Sequence, residues 1–315
     1  MRQQMRRAYD QVMVENDLGW RWASNLGPTL AYRRAKATLP AATERIVAAL
    51  RRDGVAITSL AELGIDDALV ARLRTRVDEL IADAQPEIDD KTRRLPDATA
   101  HGSKPFLVEL MGALPAVRPG DPVLDFVLDP KVRGVAEAYS GMTLRVHDVN
   151  VWYNLPWPGE AQQSQRWHRD LLEDHDIVKV FLYVREVTPG SGPLSYLVGS
   201  HRGDRRRWDP PTSYDGIGYR VDDAAIEAEA GPGEIVTAPG PEGTVVFADT
   251  RGLHRGGWAT TDARVVLQGL YASRSVRRPG TLVVADERSR TELLRDVNVL
   301  SPEQQKVREA AVGLA

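Results

Sequence analysis

From Met142 onward the chain is a string of short β-branched or aromatic runs bounded by Gly, Pro and Asp: "TLRVHDVNVWYN", "IVKVFLYVREV", "GPLSYLV", "GTVVFAD" and "ARVVLQGLYAS". Most of these runs follow one another with no helical stretch between them. Parallel strands need a long crossover, usually a helix, so this spacing predicts antiparallel pairing in a sandwich or barrel. Before Met142 the period is helical. "AATERIVAALRRDG" sets Ile46, Val47 and Leu50 on an apolar stripe, with Gly54 placed to cap the C-terminus. "DDALVARLRTRVDELIADA" puts Leu69, Leu73, Val77 and Leu80 on one face, and "LDPKVRGVAEAYSG" reads as a short helix stopped at Gly141. Residues 86–125, rich in charge, Pro and Gly, are expected to be loop. The insert 199–232 is too long for a hairpin turn and has the length of a functional lid. "SPEQQKVREAAVGL" opens with Ser301, Pro302 and Gln304, a capping-box start for a closing helix. The expectation is one α+β domain over 1–315. It comprises a mainly helical part over 1–141, a jelly-roll-like double sheet over 142–275, and a C-terminal extension with a helix over 276–315.

Composition removes several chemistries. The chain has no cysteine, which excludes disulfides, thiolate zinc sites, iron–sulfur clusters and cysteine nucleophiles. Any metal must therefore use His, Asp or Glu. A net charge of −3 gives no reason to expect a nucleic-acid partner. The first residues, "MRQQMRRAYDQVMVENDLGW", lack the apolar core of a signal peptide, and no run is long enough to span a bilayer. A cytoplasmic protein with a small-molecule partner is expected, with monomer and homodimer both open.

The segment "SQRWHRDLLEDHDIVKVFLYV", residues 164–184, holds the sharpest chemical signal. On extended backbone, residues two apart project from the same face, so His168 and Asp170 can reach one point. One imidazole and one carboxylate make two thirds of the 2-His-1-carboxylate triad of non-haem iron(II) sites. Alone, such a short pattern is weak. A third ligand is supplied by His254, just after the apolar run "GTVVFAD". Arg264 follows ten residues later, inside the next apolar run. A buried guanidinium needs an anionic partner. That partner is either a protein carboxylate, Asp249 or Asp262, or the carboxylate of a cosubstrate held by a bidentate clamp.

In this order, H-x-D, then "GPLSYLVGSH", then a His with an Arg ten residues on, the chain resembles the phytanoyl-CoA dioxygenase-like family of Fe(II)/2-oxoglutarate-dependent oxygenases. The helix, strand and "WYN" segment before it are similar too, so the resemblance covers 41–275. It implies a double-stranded β-helix, a cupin-like jelly-roll variant, with N-terminal helices packed on one sheet. It further implies that His168, Asp170 and His254 are catalytic metal ligands for Fe(2+), and that Arg264 holds the distal carboxylate of 2-oxoglutarate, with O2 as cosubstrate. Asn154 and Gln165 are expected to contact 2-oxoglutarate, or else to cap strand ends. The chain departs from the family's turn at Ser191 and Val198, where Asn and Pro are common. It also has Gly256 where relatives often carry a small hydroxyl residue. Halogenating relatives lack the carboxylate that Asp170 supplies, so oxygenation, with hydroxylation as the default outcome, is expected.

The remaining candidates carry blander readings. His175 is expected to be solvated, His201 structural at a loop start, His147 a core or interface residue, and His101 uninformative. Lys179 and Tyr183 share one strand face, which lines a polar cavity or faces solvent. Trp152, Trp157, Trp167, Trp208 and Trp258 fall within the motif-bearing span, as packing or as walls of a pocket. Arg205, Arg206 and Arg207, with Arg274, Arg277 and Arg278, are read as able to bind an anionic substrate group, but for most of them as solvated surface. Two other functions compete. One is a cupin-like metal enzyme that does not use 2-oxoglutarate; the other is a carbohydrate-binding jelly-roll module whose tryptophans stack on sugars.

Overall fold

The computed structural model describes residues 16–35, 38–95, 104–157, 159–170, 174–203, 208, 210–215 and 218–313. The strands in chain order are β1 (Val55–Ser59), β2 (Leu107–Glu109), β3 (Ala116–Val117), β4 (Arg145–Asn154), β5 (Val178–Tyr183), β6 (Leu194–Leu197) and β7 (Thr212–Tyr214). They continue with β8 (Tyr219–Val221), β9 (Ile235–Ala238), β10 (Thr244–Asp249), β11 (His254–Arg255), β12 (Arg264–Ala272) and β13 (Val283–Val284). Six of them form one sheet in the order β1-β10-β5-β12-β4-β2, with antiparallel neighbours throughout. Three more form a smaller sheet, β11-β6-β9.

Alternation along the strands decides what each face of the large sheet buries. Val178, Val180 and Leu182 of β5, and Val265, Leu267 and Tyr271 of β12, join one buried cluster with residues of the helices. The helix partners include Ile46 and Leu50, Leu69 to Leu80, and Val123 to Val127. The intervening Phe181, Tyr183 and Val266 face the other way and pack with Leu194 and Tyr196 of β6 and Ala238 of β9. The interior between the two sheets is therefore apolar at this end, and the polar residues of the same faces collect elsewhere.

The N-terminal helix Ala41–Asp53 ends at Gly54, whose φ of 85° is left-handed and whose N–H donates to Leu50 O. A Cβ on Gly54 would lie 2.3 Å from Tyr196 Oη and 2.5 Å from His201 Nδ1, so only glycine fits this corner. The chain leaves it directly into β1, an edge strand that the sequence reading did not include.

Among its described residues the stretch 86–125, expected as loop, contains helix and strand. The helix begun at Asp67 runs through Pro86 to Arg94. Proline inside a helix removes one hydrogen bond and crowds the preceding turn. Here Pro86 and Ala82 are exposed, so the carbonyl freed at Ala82 is solvated, while Ile88 and Leu95 are buried and anchor the continuation. Strands β2 and β3 and a helix Pro122–Leu128, capped by the Asp121 carboxylate on Val123 N, complete the stretch. Part of the insert 199–232 is also ordered structure, as the β7–β8 hairpin and the helix Asp223–Glu229. At the closing helix Pro302–Val312, Ser301 Oγ accepts from Gln304 N while Gln304 Oε1 accepts from Ser301 N. Arg205, Arg206, Arg207 and His101 lie outside the described residues.

Candidate metal centre

His168 and His254 face each other on paired backbone. Each N–H donates to the other's carbonyl at 3.0 Å, and Asp170 N donates to Thr250 O at 2.8 Å. Two segments 86 positions apart in sequence are thereby held in one register. His168 Nδ1 donates to Arg166 O at 2.9 Å and His254 Nδ1 to Gly252 O at 3.0 Å. These bonds assign the proton of each ring to Nδ1 and leave both Nε2 lone pairs available, the tautomer a metal needs.

Both Nε2 atoms face the same carboxylate. His168 Nε2 lies 3.9 Å from Asp170 Oδ1 and His254 Nε2 lies 3.7 Å from Asp170 Oδ2. The three donor atoms fall within 4.8 Å of one another. Burial pushes the His168 imidazole well below its ordinary pKa, and the neighbouring His254 adds to this. Burial lowers His254 as well, with Asp170 opposing in part. For Asp170, burial alone would raise the carboxyl, but Lys179, His254 and His168 outweigh it and hold it ionised. Two neutral imidazoles and one carboxylate, with their lone pairs turned to a common point, fit a divalent transition metal by donor chemistry.

Lys179 comes from β5 and places Nζ 2.7 Å from Asp170 Oδ2. Of the two sequence readings for Lys179, the structure realises the cavity one.

Arg264 opens β12 opposite Asn154 of β4 and is only 4% exposed. Its Nε and Nη2 donate to Asn154 Oδ1 at 3.2 and 3.1 Å, and Nη1 donates to Gly192 O at 2.9 Å. All of these acceptors are neutral. Neither expected protein carboxylate reaches it: Asp249 is engaged by Arg251 and Tyr139, and Asp262 accepts from Thr188 and Thr261. Burial pushes the guanidinium pKa down to about 10, which measures how poorly compensated this charge is. The backbone of Gly256 and Gly257 approaches it closely; a Cβ would lie 3.3 Å from Nη1 and 3.1 Å from Nη2 respectively.

The triad and Arg264 line one cavity, with roughly 560 Å³ of empty space, mouth included. Lys104, Trp152, Ser164, Phe181, Leu194 and Gln268 complete its walls, together with Asn154. Lys104 sits over the Trp152 ring at 5.2 Å, and burial followed by the nearby Lys179 lowers its pKa. Lys104 and Ser164 were missed in the sequence because neither belongs to a periodic run. Gln165 does not line this cavity. Its Oε1 accepts from Gln162 N and its Nε2 donates to Gly257 O at 3.2 Å, so its amide is spent on backbone. Of the five tryptophans noted, only Trp152 lines this cavity; Trp167 packs with Leu197, Val221 and Leu253. His175 is not solvated as expected: its ring stacks on Trp20 at 4.7 Å and its Nδ1 meets Asp176 at 2.9 Å. His201 is buried beside Gly54.

A triad on paired strand ends, with a buried arginine on the next strand, is the arrangement against which known families can be compared. The family model for phytanoyl-CoA dioxygenase (PhyH) matches residues 50–266, a span containing all four residues. The chain belongs to the phytanoyl-CoA dioxygenase family. The fold is accordingly the cupin-like double-stranded β-helix of that family, with its two sheets facing each other. Solved structures agree on the fold. The non-heme alpha-ketoglutarate-dependent carbocyclase SnoK from nogalamycin biosynthesis is 18% identical, covering 85% of this chain and 98% of its own, with a TM-score of 0.52. EctD from S. alaskensis with bound Fe is 21% identical, covering 80% of this chain and 84% of its own, with a TM-score of 0.52. The EctD structure with 2-oxoglutarate and 5-hydroxyectoine is likewise 21% identical, covering 77% and 80%, with a TM-score of 0.51. A search of the curated proteins finds no match. Among the described residues no helix is long and apolar enough to cross a membrane.

Proposed function

We propose that this phytanoyl-CoA dioxygenase family member is a non-haem Fe(II)- and 2-oxoglutarate-dependent oxygenase that hydroxylates a small-molecule metabolite. His168, Asp170 and His254 hold the iron. Arg264, its guanidinium plane fixed by Asn154 Oδ1, takes the far carboxylate of 2-oxoglutarate. The observation that carries this reading is the buried Arg264, which has only neutral partners and opens onto the same cavity as the triad. A cupin-like metal enzyme without 2-oxoglutarate leaves that charge buried and without an anion, at a cost of several kcal/mol by the usual scale of such burial (~3–5 kcal/mol).

When bound, iron(II) supplies O2 activation coupled to decarboxylation of 2-oxoglutarate, so that a substrate C–H becomes C–OH with release of succinate and CO2. The chain's part is positioning and electrostatics. Lys179 and Lys104 join Arg264 in a cavity with Asp170 as its ionised acid, a positive field that suits a dianionic cosubstrate. Trp152, Phe181 and Leu194 exclude water from the reacting centre. Gln165 acts through Gly257, holding the backbone that approaches Arg264. Hydroxylation is the outcome proposed because it calls on no residue beyond these. One buried cluster runs from Trp20 to Val297, which supports reading the chain as a single domain.

The test is anaerobic addition of Fe(II) and 2-oxoglutarate, followed by visible spectroscopy for the weak metal-to-ligand charge-transfer band. A band is expected with the wild type and none with Asp170→Ala/His254→Ala. No band in the wild type, or an undiminished band in the double variant, rejects the proposal.

A further inference from the structure

β4 meets the metal cavity at Asn154 and a second cavity at its opposite end, at Arg145. At about 3.4 Å per residue these ends lie roughly 30 Å apart. The second cavity also has roughly 560 Å³ of empty space, mouth included, and lies between the end of β4, the segment 274–280 after β12 and residues 298–300. Among the described residues Arg145, Arg274, Arg277 and Arg278 line it, and no acidic side chain does. The acids that act on Arg145 and His147 from outside the pocket make their close contacts elsewhere: Asp296 pairs with Arg133 at 2.7 Å, and Asp148 accepts from Thr281 Oγ1 at 2.6 Å. Arg145, Arg274 and Arg278 thus share one pocket without a carboxylate partner.

The backbone is shaped for this pocket. The β4–β12 register steps from Asp148↔Leu270 to Val146↔Tyr271, which leaves His147 as the extra residue of a bulge. Bulges re-aim a side chain that a regular strand would send elsewhere. His147 is 3% exposed and lines the cavity. Arg145 Nη1 donates to Asn298 Oδ1 at 3.4 Å, which turns Asn298 Nδ2 toward His147 Nδ1 at 3.2 Å. Nδ1 is then the acceptor and Nε2 carries the proton. That Nε2–H is buried with no acceptor, and so is Arg145 Nε. Arg145, whose Nε is one of these two donors, shares the pocket with Arg274 and Arg278, so that one oxyanion there can accept from three guanidiniums. A tetrahedral dianion accepts from several directions at once, whereas a planar carboxylate matches a single guanidinium fork.

We propose that this pocket is a phosphate-binding site, remote from the metal centre, that takes inorganic phosphate or a phosphomonoester group. The inference is independent of the iron reading. Calorimetric titration of full-length protein, saturated with Fe(II) and 2-oxoglutarate under anaerobic conditions in chloride buffer at fixed ionic strength, tests it. The probes are inorganic phosphate, AMP and succinate. Saturable phosphate binding is expected, weakened at least about tenfold in Arg274→Gln/Arg278→Gln and changed less than about twofold in Arg288→Gln, at an exposed arginine that lines neither cavity. Arg274 and Arg278 are exposed enough for the double variant to fold, and its unchanged circular dichroism serves as the control. AMP binding as tightly as phosphate identifies a phosphomonoester as the source; AMP failing while phosphate binds identifies the free ion. The proposal is overturned if neither binds up to about 10 mM. It is also overturned if binding survives undiminished in Arg274→Gln/Arg278→Gln, or if succinate binds more tightly than phosphate.

Discussion

Arg264 is held in a way that costs the metal-free, ligand-free protein stability, because a desolvated guanidinium with neutral acceptors is poorly compensated. Arg264→Gln should therefore weaken 2-oxoglutarate binding at least about 100-fold, the scale of a lost bidentate charged contact. The same variant should unfold at an equal or higher temperature than wild type without ligands. Scanning calorimetry with and without 2-oxoglutarate separates the two effects. A large stability loss with unchanged affinity would return Arg264 to a structural role. The residues of this site were unevenly legible. His168 and Asp170 stood out because alternation on extended backbone is a local rule, His254 because it directly follows an apolar run as a third ligand should, and Arg264 because a charge inside an apolar run demands a reason. Which anion Arg264 meets was not legible, since it depends on Arg251, Tyr139, Thr188 and Thr261 having engaged Asp249 and Asp262 first. Gln165 was expected at the cosubstrate or as a strand-end cap; its Oε1 closes a local turn, and the bond of its Nε2 to Gly257, 92 positions on, is a tertiary detail. Lys104 comes from a stretch with no period to read.

At the scale of elements, the strongly periodic runs from Met142 onward were read as strands where β4, β5, β6, β10 and β12 lie, because each is half or wholly buried against the core. Short edge elements escaped. β1 has only five residues, and its partner β10 is nearly 200 positions away, so nothing local marks it. The helix Asp67–Arg94 was cut short at Pro86 by applying a sound rule without its offset, the burial of Ile88 and Leu95. Burying two such side chains contributes about 3–6 kcal/mol, enough to carry a helix past a proline costing about 3 kcal/mol. Pro86→Ala should accordingly stabilise the protein by about 1–3 kcal/mol in urea unfolding, with no change in metal binding. A destabilised variant would show that the turn at Pro86 has been adapted to its imide. The corner at Gly54 predicts the opposite sign. Gly54→Ala places a Cβ against Tyr196 Oη in a left-handed backbone and should cost at least about 2 kcal/mol. Stability within experimental error of wild type would mean that Tyr196 has room to retreat.

Across the whole molecule the large sheet is a beam with chemistry at both ends. The metal cavity lies where β4 ends and β12 begins, and the basic cavity where β4 begins and β12 ends. Sequence alone showed the first end as a family pattern but left Arg274, Arg277 and Arg278 between surface and an anion contact, because their convergence with Arg145 depends on a bulge and a C-terminal return. The second end has its own pH signature. Burial pushes the His147 pKa down to about 4, with Arg278 acting in the same direction and Asp148 opposing. The charged groups packed around it are Arg274, Arg277 and Arg278 from the segment after β12 and Arg145 and Asp148 from its own strand. A histidine whose folded pKa lies below its unfolded value of 6.5 binds fewer protons when folded. Its contribution to stability is complete above pH 6.5 and is lost as pH falls, with the loss finished near pH 4. The whole loss is up to about 3 kcal/mol, at roughly 1.4 kcal/mol per unit. In urea unfolding followed from pH 7 to pH 4, wild type should lose that much more stability than His147→Gln, whose side chain does not titrate. Phosphate is left out of the buffers, because an anion in the basic pocket would favour the protonated ring and flatten the difference. Parallel curves for the two proteins would place the acid lability elsewhere among the buried carboxylates, such as Asp176, and would remove the strained imidazole from the account of the second cavity.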